Sequence, residues 1–215
     1  MTFWEIIVSM LGQGLFTTIV TTILAAILAL VLGFAGGLMR LSNNRFVRFI
    51  VAIYVEVFRG TSLLVQLFWI YFVLPMFGIT MSALTAAVLA IGLNYGAYTS
   101  EVVRSGIQSV DKGQTEASIA LNFTPAQRMR RIIIPQAFII MLPNLGNQLI
   151  ELFKSTSLVA LITLTDLTYQ ANVLNASTLQ TTEIYTALLV LYFLIAWPLT
   201  KGIQILERKL TEGRM

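Results

Sequence analysis

The longest polar stretch of the chain is Asp111-Lys112-Gly113-Gln114-Thr115-Glu116-Ala117-Ser118-Ile119-Ala120-Leu121-Asn122-Phe123-Thr124-Pro125. Its local signals describe a helix, a sharp turn and a second helix. Glu116 to Leu121 are competent helix formers, and Asn122 tolerates the left-handed conformation that ends a helix. Thr124 then stands as an N-cap, with Pro125 at the first helical position and Gln127 at the third, a capping-box pattern. A short helix therefore projects from the body of the molecule and the chain turns straight back, all within a polar loop of about residues 105–135. On geometry alone, an ordinary connection folded for compactness accounts for the segment equally well.

What surrounds this loop is apolar. The 215 residues are 57% hydrophobic and only 11% charged, with a mean hydropathy of +0.81, whereas a soluble domain carries roughly 25% charge. The chain is an all-α membrane protein. It contains no His and no Cys, which excludes histidine-dependent catalysis, thiol nucleophiles, disulfides and the usual zinc and haem ligand sets. A bilayer core of about 30 Å needs about 20 apolar residues as helix. Charge-free runs predict five spans, over about 6–39, 46–74, 83–104, 136–163 and 183–206. Pro75, Gly78 and Ser82 separate the second from the third.

Basic residues orient the spans, because cytoplasmic loops collect Lys and Arg. Arg40, Arg45 and Arg48 follow the first span, Arg104, Lys112, Arg128, Arg130 and Arg131 flank or lie in the 105–135 loop, and Arg208, Lys209 and Arg214 form the tail. The alternate loops, about 75–82 and 164–182, contain no Lys or Arg. The amino terminus is expected outside and the carboxyl terminus in the cytoplasm. The first apolar run lacks a basic leader and is too long for a signal peptide, so it is expected to be a retained helix.

The polar loop resembles the EAA loop of importer-type ABC permeases, whose pattern is Glu-Ala-Ala, three residues, Gly, nine residues, Ile-x-Leu-Pro. Glu116-Ala117-Ser118, Asn122 and Ile132-Ile133-Ile134-Pro135 keep that spacing. Ser118, Asn122 and Ile134 depart from it in identity, and Asn is a good substitute for Gly at a left-handed cap. The resemblance covers nearly the whole chain and narrows to polar amino acid permeases of the histidine, glutamine and arginine type. It is carried by the segments Tyr54 to Gln66, Asn94 to Ile107 and Phe153 to Val159. The runs Arg59 to Pro75 and Leu161 to Thr168 look most like permeases for ectoine and hydroxyectoine.

The resemblance implies the type I ABC importer permease fold, a single transmembrane domain spanning 1–215, and a bacterial inner membrane location. It also implies that Gly113, Glu116, Ala117, Ser118, Leu121, Asn122 and Pro135 form the coupling site, where a separate ATPase dimer grips the short helix. The expected partners are that ATPase, a second permease subunit, identical or homologous, and an extracytoplasmic substrate-binding protein; nucleic acid is not among them. No Gly-x-x-x-x-Gly-Lys-Ser/Thr phosphate loop occurs, so no cofactor is expected on this chain, and ATP and Mg belong to the partner. The chain itself is expected to be non-catalytic.

Charges inside spans need partners or water. Glu56 with Arg59, Glu101 with Arg104 and Glu151 with Lys154 are each spaced i, i+3, which lets opposite charges meet on one helix face. The first two fit structural pairs towards the cytoplasmic helix ends. Glu151 and Lys154 fall near the middle of the fourth span, where Lys154 suits a carboxylate and Glu151 a cation. A self-neutralising salt bridge is the alternative. Thr156, Ser157, Asn94, Tyr95 and Tyr98 are candidates to line the same site, with packing an equal alternative for the last three. Gly33 with Gly37, and Gly92 with Gly96, have the spacing of close helix packing. Pro143 with Gly146 is expected to weaken the fourth helix. The rival reading is a secondary transporter working without an ATPase. No inverted repeat is visible to support it, and the only aspartates, Asp111 and Asp166, lie in loops, which argues against an intramembrane aspartyl protease.

Overall fold

The computed structural model describes residues 2–212, which contain helices and turns but no strand; Arg214 of the basic tail lies outside them. α1 (Phe3–Arg40) opens on a reciprocal capping box between Thr2 and Glu5. From Gly14 onward its buried face is made of small residues, Gly14, Thr18, Thr21, Ala25, Ala29, Gly33, Gly36 and Gly37, while Phe16, Ile23, Ile27 and Val31 point outward. Large apolar side chains facing out and small ones facing in is the inverse of a soluble helix. It suits lipid outside and close backbone approach inside.

That approach is made to α4 (Ala83–Gln108). A Cβ on Gly33 would sit 2.2 Å from Thr99 Cγ2, one on Gly37 2.6 Å from Val103 Cβ, and one on Gly92 2.6 Å from Leu28 Cδ2. The small-residue spacing read from the sequence is thus the seam between α1 and α4. α4 is the innermost helix, with Asn94, Thr99 and Ser100 buried among its alanines. Polar side chains on an enclosed helix can hydrogen-bond across to its neighbours, and α4 is not among the helices long and apolar enough to cross a membrane. Those are Phe3–Arg40, Pro125–Ile162 and Thr181–Leu210, joined by a fourth if the bent pair Arg45–Gly60 and Leu63–Phe77 is one span.

That bent pair departs from the expected continuous helix over 46–74. α2 (Arg45–Gly60) ends abruptly and α3 (Leu63–Phe68), prolonged by tighter and wider turns to Phe77, leaves at 105°. Side-chain hydrogen bonds, some local and some from α4, hold the break. Gln66 Nε2 donates to the Phe58 carbonyl at 2.9 Å and to Thr61 Oγ1 at 2.7 Å. Asn94 Nδ2, from α4, donates to the same Phe58 carbonyl at 2.8 Å and to Gln66 Oε1 at 3.1 Å. Carbonyls freed by a break inside hydrocarbon must find such donors.

Past α5 (Lys112–Ala120), helix resumes at Pro125, as the Thr124 capping signal directs, and it runs on into the span expected from about residue 136 without an intervening loop. α6 (Pro125–Arg128) passes through one π turn into α7 (Ile134–Ser155), which ends in a 3-10 turn to Ile162. Pro143 and Gly146 do not interrupt α7. Gly146 instead admits Ile203 of the last helix, whose Cγ2 lies 2.2 Å from where a Cβ would be. The connection 164–182 contains a further helix, α8 (Leu167–Thr178), before α9 (Thr181–Glu212). Ile6, Ile7 and Met10 of α1 bury against Leu167, Ala171 and Ile184. The start of α1 therefore sits with α8, at the far end of the bundle from α5.

Candidate functional site

The short helix α5 forms as its residues direct. Asp111 Oδ1 accepts from the Gly113 amide at 2.6 Å, and a Cβ on Gly113 would crowd that same oxygen at 2.8 Å. At the other end Asn122 adopts φ 56°, the Asn122 amide donates to the Ile119 carbonyl at 2.9 Å, and the Phe123 amide donates to the Ser118 carbonyl at 3.0 Å. Thr124 and Gln127 then close the capping box in both directions, at 3.0 and 3.3 Å. Ser118 is buried, its hydroxyl donating to the Thr115 carbonyl at 2.6 Å. It turns inward, while Gly113, Glu116, Ala117, Leu121 and Asn122 face out. Ile119 and Leu121 are 56% and 69% exposed. Pro135 is also exposed but lies beyond the turn, where α7 begins.

The three charge pairs divide. Glu101 is paired with Arg104 and, across helices, with Arg40 Nη1 at 2.6 Å, which locks the end of α1 to α4. Sixty-one residues separate Arg40 from Glu101, so i, i+3 spacing offered no signal for that partner. Glu56 and Arg59 form no ion pair among the described residues; the Arg59 guanidinium instead lies over the Tyr98 ring, 5.2 Å from its centroid. Glu151 and Lys154 are both exposed and likewise unpaired with each other among the described residues. The self-neutralising bridge, the alternative reading of the pair, is not formed among the described residues.

The remaining candidates fall into two groups. Tyr95 and Tyr98 stand side by side on α4, with centroids 6.3 Å apart. The Tyr95 hydroxyl meets Ser155 Oγ at 2.6 Å, and Ser155 Oγ reaches the Glu151 carbonyl at 2.9 Å. Lys154 and Ser157 line a different space, a groove of about 820 Å3 between α7 and α9 that also takes in Tyr185, Tyr192 and Trp197. Thr156 is buried and bonded to the Phe153 carbonyl, and both amide protons of Asn94 serve the α2–α3 break. Below Tyr95, an apolar cavity of about 340 Å3 is walled by α1, α4, α7 and α9, with Thr99 bonded to Gln148 at 2.8 Å on its lining.

Asp166 stands outside the helices, as its place in a connection predicts, but it is fully buried. It caps α8, accepting from the Tyr169 amide at 2.8 Å and from the Tyr192 hydroxyl at 3.4 Å. Burial pushes its carboxyl up to about 6 against the opposing pull of those hydrogen bonds and Thr168's. The backbone at Asp166 lies so close to α1 that a Cβ on Gly14 would meet its carbonyl oxygen at 2.8 Å.

A rod of small residues, an interrupted second helix and an exposed helix-turn at one end define an integral membrane permease. Residues 29–212 match the family model described as the binding-protein-dependent transport system inner membrane component, and the chain belongs to that family. It is 42% identical over 98% of its length to the probable amino-acid ABC transporter permease protein y4tF of Sinorhizobium fredii, 91% of which is covered. The L-cystine transport system permease protein TcyB of Bacillus subtilis is 39% identical, over 97% of this chain and 88% of that one. The glutamine transport system permease protein GlnP of Escherichia coli is 35% identical, over 94% of each. Among solved structures, an amino acid ABC transporter crystallised with histidines superposes with a TM-score of 0.87 at 38% identity, over 93% of each chain. The inward-facing MetNI methionine ABC transporter shares the fold, with a TM-score of 0.78 at 19% identity over 92% of this chain and 94% of that one. The protein is thus a permease subunit of the ABC importer class, located in the inner membrane, with the type I importer permease fold.

Proposed function

We propose that this chain crosses the membrane five times, amino terminus outside, and forms one half of a pore that admits a small polar zwitterion of the amino acid class. The other half is a second copy or a homologous permease. An extracytoplasmic binding protein delivers the substrate to the side of α8, and an ATPase dimer, which holds the ATP and Mg, grips α5 on the cytoplasmic side. The whole of 1–215 acts as one transmembrane domain. Amino-acid permeases among the relatives support the substrate class, and the same chemistry embraces ectoine, which also carries a carboxylate and a delocalised cation. In this reading Glu151, with Tyr95 and Tyr98 beside it, receives the positive end of the substrate. Lys154 and Ser157 border the path on the α9 side, Thr156 is packed behind them, and Asn94 positions the chain around it.

The observation that carries the proposal is the exposed face of α5. The nine-residue helix and its cap present Ile119 and Leu121 beside Glu116, a mixed apolar and acidic face that suits a partner's groove. A partner's groove that accepts Glu116 beside those apolar side chains would read a reversed charge as a buried mismatch. Glu116→Lys, co-expressed with its ATPase and reconstituted with the binding protein, is expected to leave the permease inserted while uncoupling ATP hydrolysis from uptake. Wild-type import by Glu116→Lys would remove α5 from the coupling role.

A further inference from the structure

Arg59 sits at the last turn of α2, immediately before the 105° break. Depth along the bundle follows from its neighbours: Phe58 is tied to Asn94, eleven residues into α4, and the guanidinium lies over Tyr98, one turn further on. Those positions lie within the hydrocarbon if α4 spans, and there an arginine is costly unless it has a counter-ion or water. Among the described residues Arg59 makes no ion pair. The carboxylate whose field it feels, Glu101, is already shared by Arg40 and Arg104. Among the described residues it lies over the face of Tyr98, itself 38% exposed, which orients a guanidinium without neutralising it.

The same pair of tyrosines leads to a charge of opposite sign. Tyr98 neighbours Tyr95, Tyr95 holds Ser155, and Ser155 holds the backbone of Glu151, whose exposed carboxylate also lacks a cation among the described residues. A cation on α2 and an anion on α7 are thus linked through an aromatic surface on α4, and neither forms an ion pair among the described residues. Lys154, the cation first suggested by the sequence, faces the α9 groove instead.

We propose that Arg59 is the substrate-carboxylate receptor of this permease. It acts as a bidentate donor fixed over Tyr98, with Glu151 taking the positive end of the same ligand. This rests on the reading of the chain as an amino-acid permease and says which cation selects for the acid. The planar fork of a guanidinium matches a carboxylate as a lysine ammonium does not. A substrate lacking the carboxylate should therefore be rejected at this point.

The test is direct binding to the purified permease–ATPase complex without the binding protein. The probes are radiolabelled L-glutamine, L-histidine, L-cystine and ectoine, each competed with unlabelled acid and with its carboxamide. Wild type should bind at least one acid and be displaced at least tenfold less well by the amide. Arg59→Gln should weaken binding of the acid by tenfold or more and erase the acid-over-amide preference, while Arg59→Lys should restore the preference in part. Tyr98→Ala, which removes the platform but keeps the charge, should lower affinity with the preference retained. Should Arg59→Gln fail to assemble, the Arg59→Lys and Tyr98→Ala arms decide. An acid-over-amide preference unchanged in Arg59→Gln, or in Arg59→Lys where that is the only one assembled, or lost in Lys154→Met, overturns the assignment while leaving the permease reading intact. Failure of wild type both to bind and to import any of the four acids would instead overturn the amino-acid reading on which this inference depends, and import without detectable binding would overturn the Arg59 assignment alone.

Discussion

At the scale of single residues, the side chains that the sequence marked as functional divide by how far their partners lie along the chain. Asn122 at its left-handed cap and the Thr124–Gln127 box were legible because their geometry is local. The pair Glu151–Lys154 was legible as two charges in a span but not as an unpaired set, since i, i+3 spacing permits contact without requiring it. Arg59 over Tyr98 left no sequence signal beyond a charge in an apolar run, because its partner lies 39 residues away. If Glu151 and Lys154 served only each other, Lys154→Met combined with Glu151→Gln would be nearly neutral. With Glu151 serving the substrate, the double mutant is expected to assemble with its ATPase yet fail to import, and substrate should no longer stimulate ATP hydrolysis; normal uptake would demote Glu151 from the site. Asp166 makes a separate prediction. Its raised carboxyl means the folded state holds the proton more tightly than the unfolded chain. The stabilisation is fully present below the ordinary value of 3.8 and lost as pH rises through about 6. Asp166→Asn keeps an acceptor for the Tyr169 amide and removes the buried charge. It is expected to gain stability over wild type, on the order of 1–3 kcal/mol, as pH climbs from about 5 to 7. Thermal unfolding in detergent across that range checks this, and a difference independent of pH would contradict it.

At the scale of elements, periodicity and composition identified the apolar helices but not their interruptions. The seam between α1 and α4 was readable from Gly33, Gly37, Gly92 and Gly96, because small residues four apart lie on one helix face. The break after Gly60 was not, because what holds it open is Asn94, brought to Phe58 by the fold. Asn94→Ala should leave Gln66 and the Phe58 carbonyl short of a donor, costing about 1–3 kcal/mol, measurable as a lower midpoint of thermal unfolding; an unchanged midpoint would mean that water replaces the amide. At the seam, Gly33→Leu has no room against Thr99. Overpacking a tight contact costs typically about 1–3 kcal/mol and sometimes more, so lower yield of folded complex is expected, and a normal yield would show that α1 can move away from α4. α8 was missed inside what reads as a polar connector. Its signal was Asp166 as an N-cap three residues before Tyr169, a local pattern that the search for long apolar spans passes over.

At the scale of the whole molecule, the bundle has two different ends. One end carries α5, Lys112 and the arginines Arg128, Arg130 and Arg131; the other carries α8 and the buried start of α1. The proposed orientation puts the first in the cytoplasm. A single cysteine at Ser177, exposed on α8, should then react with an impermeant thiol reagent added to intact cells, and one at Ser109, beside α5, should not; the reverse pattern would invert the topology. The family was legible in the sequence through the spacing from Glu116 to Pro135, whereas the choice of substrate depends on side chains from α2, α4 and α7 that only the fold brings near one another. The measurement that bears most directly on the central claim is uptake of radiolabelled amino acid into proteoliposomes holding the permease, its ATPase and its binding protein, with proton and sodium gradients collapsed by ionophores. An ATP-driven permease accumulates substrate when ATP is supplied on the ATPase side and stops when it is withheld or when α5 carries Glu116→Lys. Accumulation that instead needs an ion gradient and ignores ATP would make the chain a secondary transporter and contradict the account.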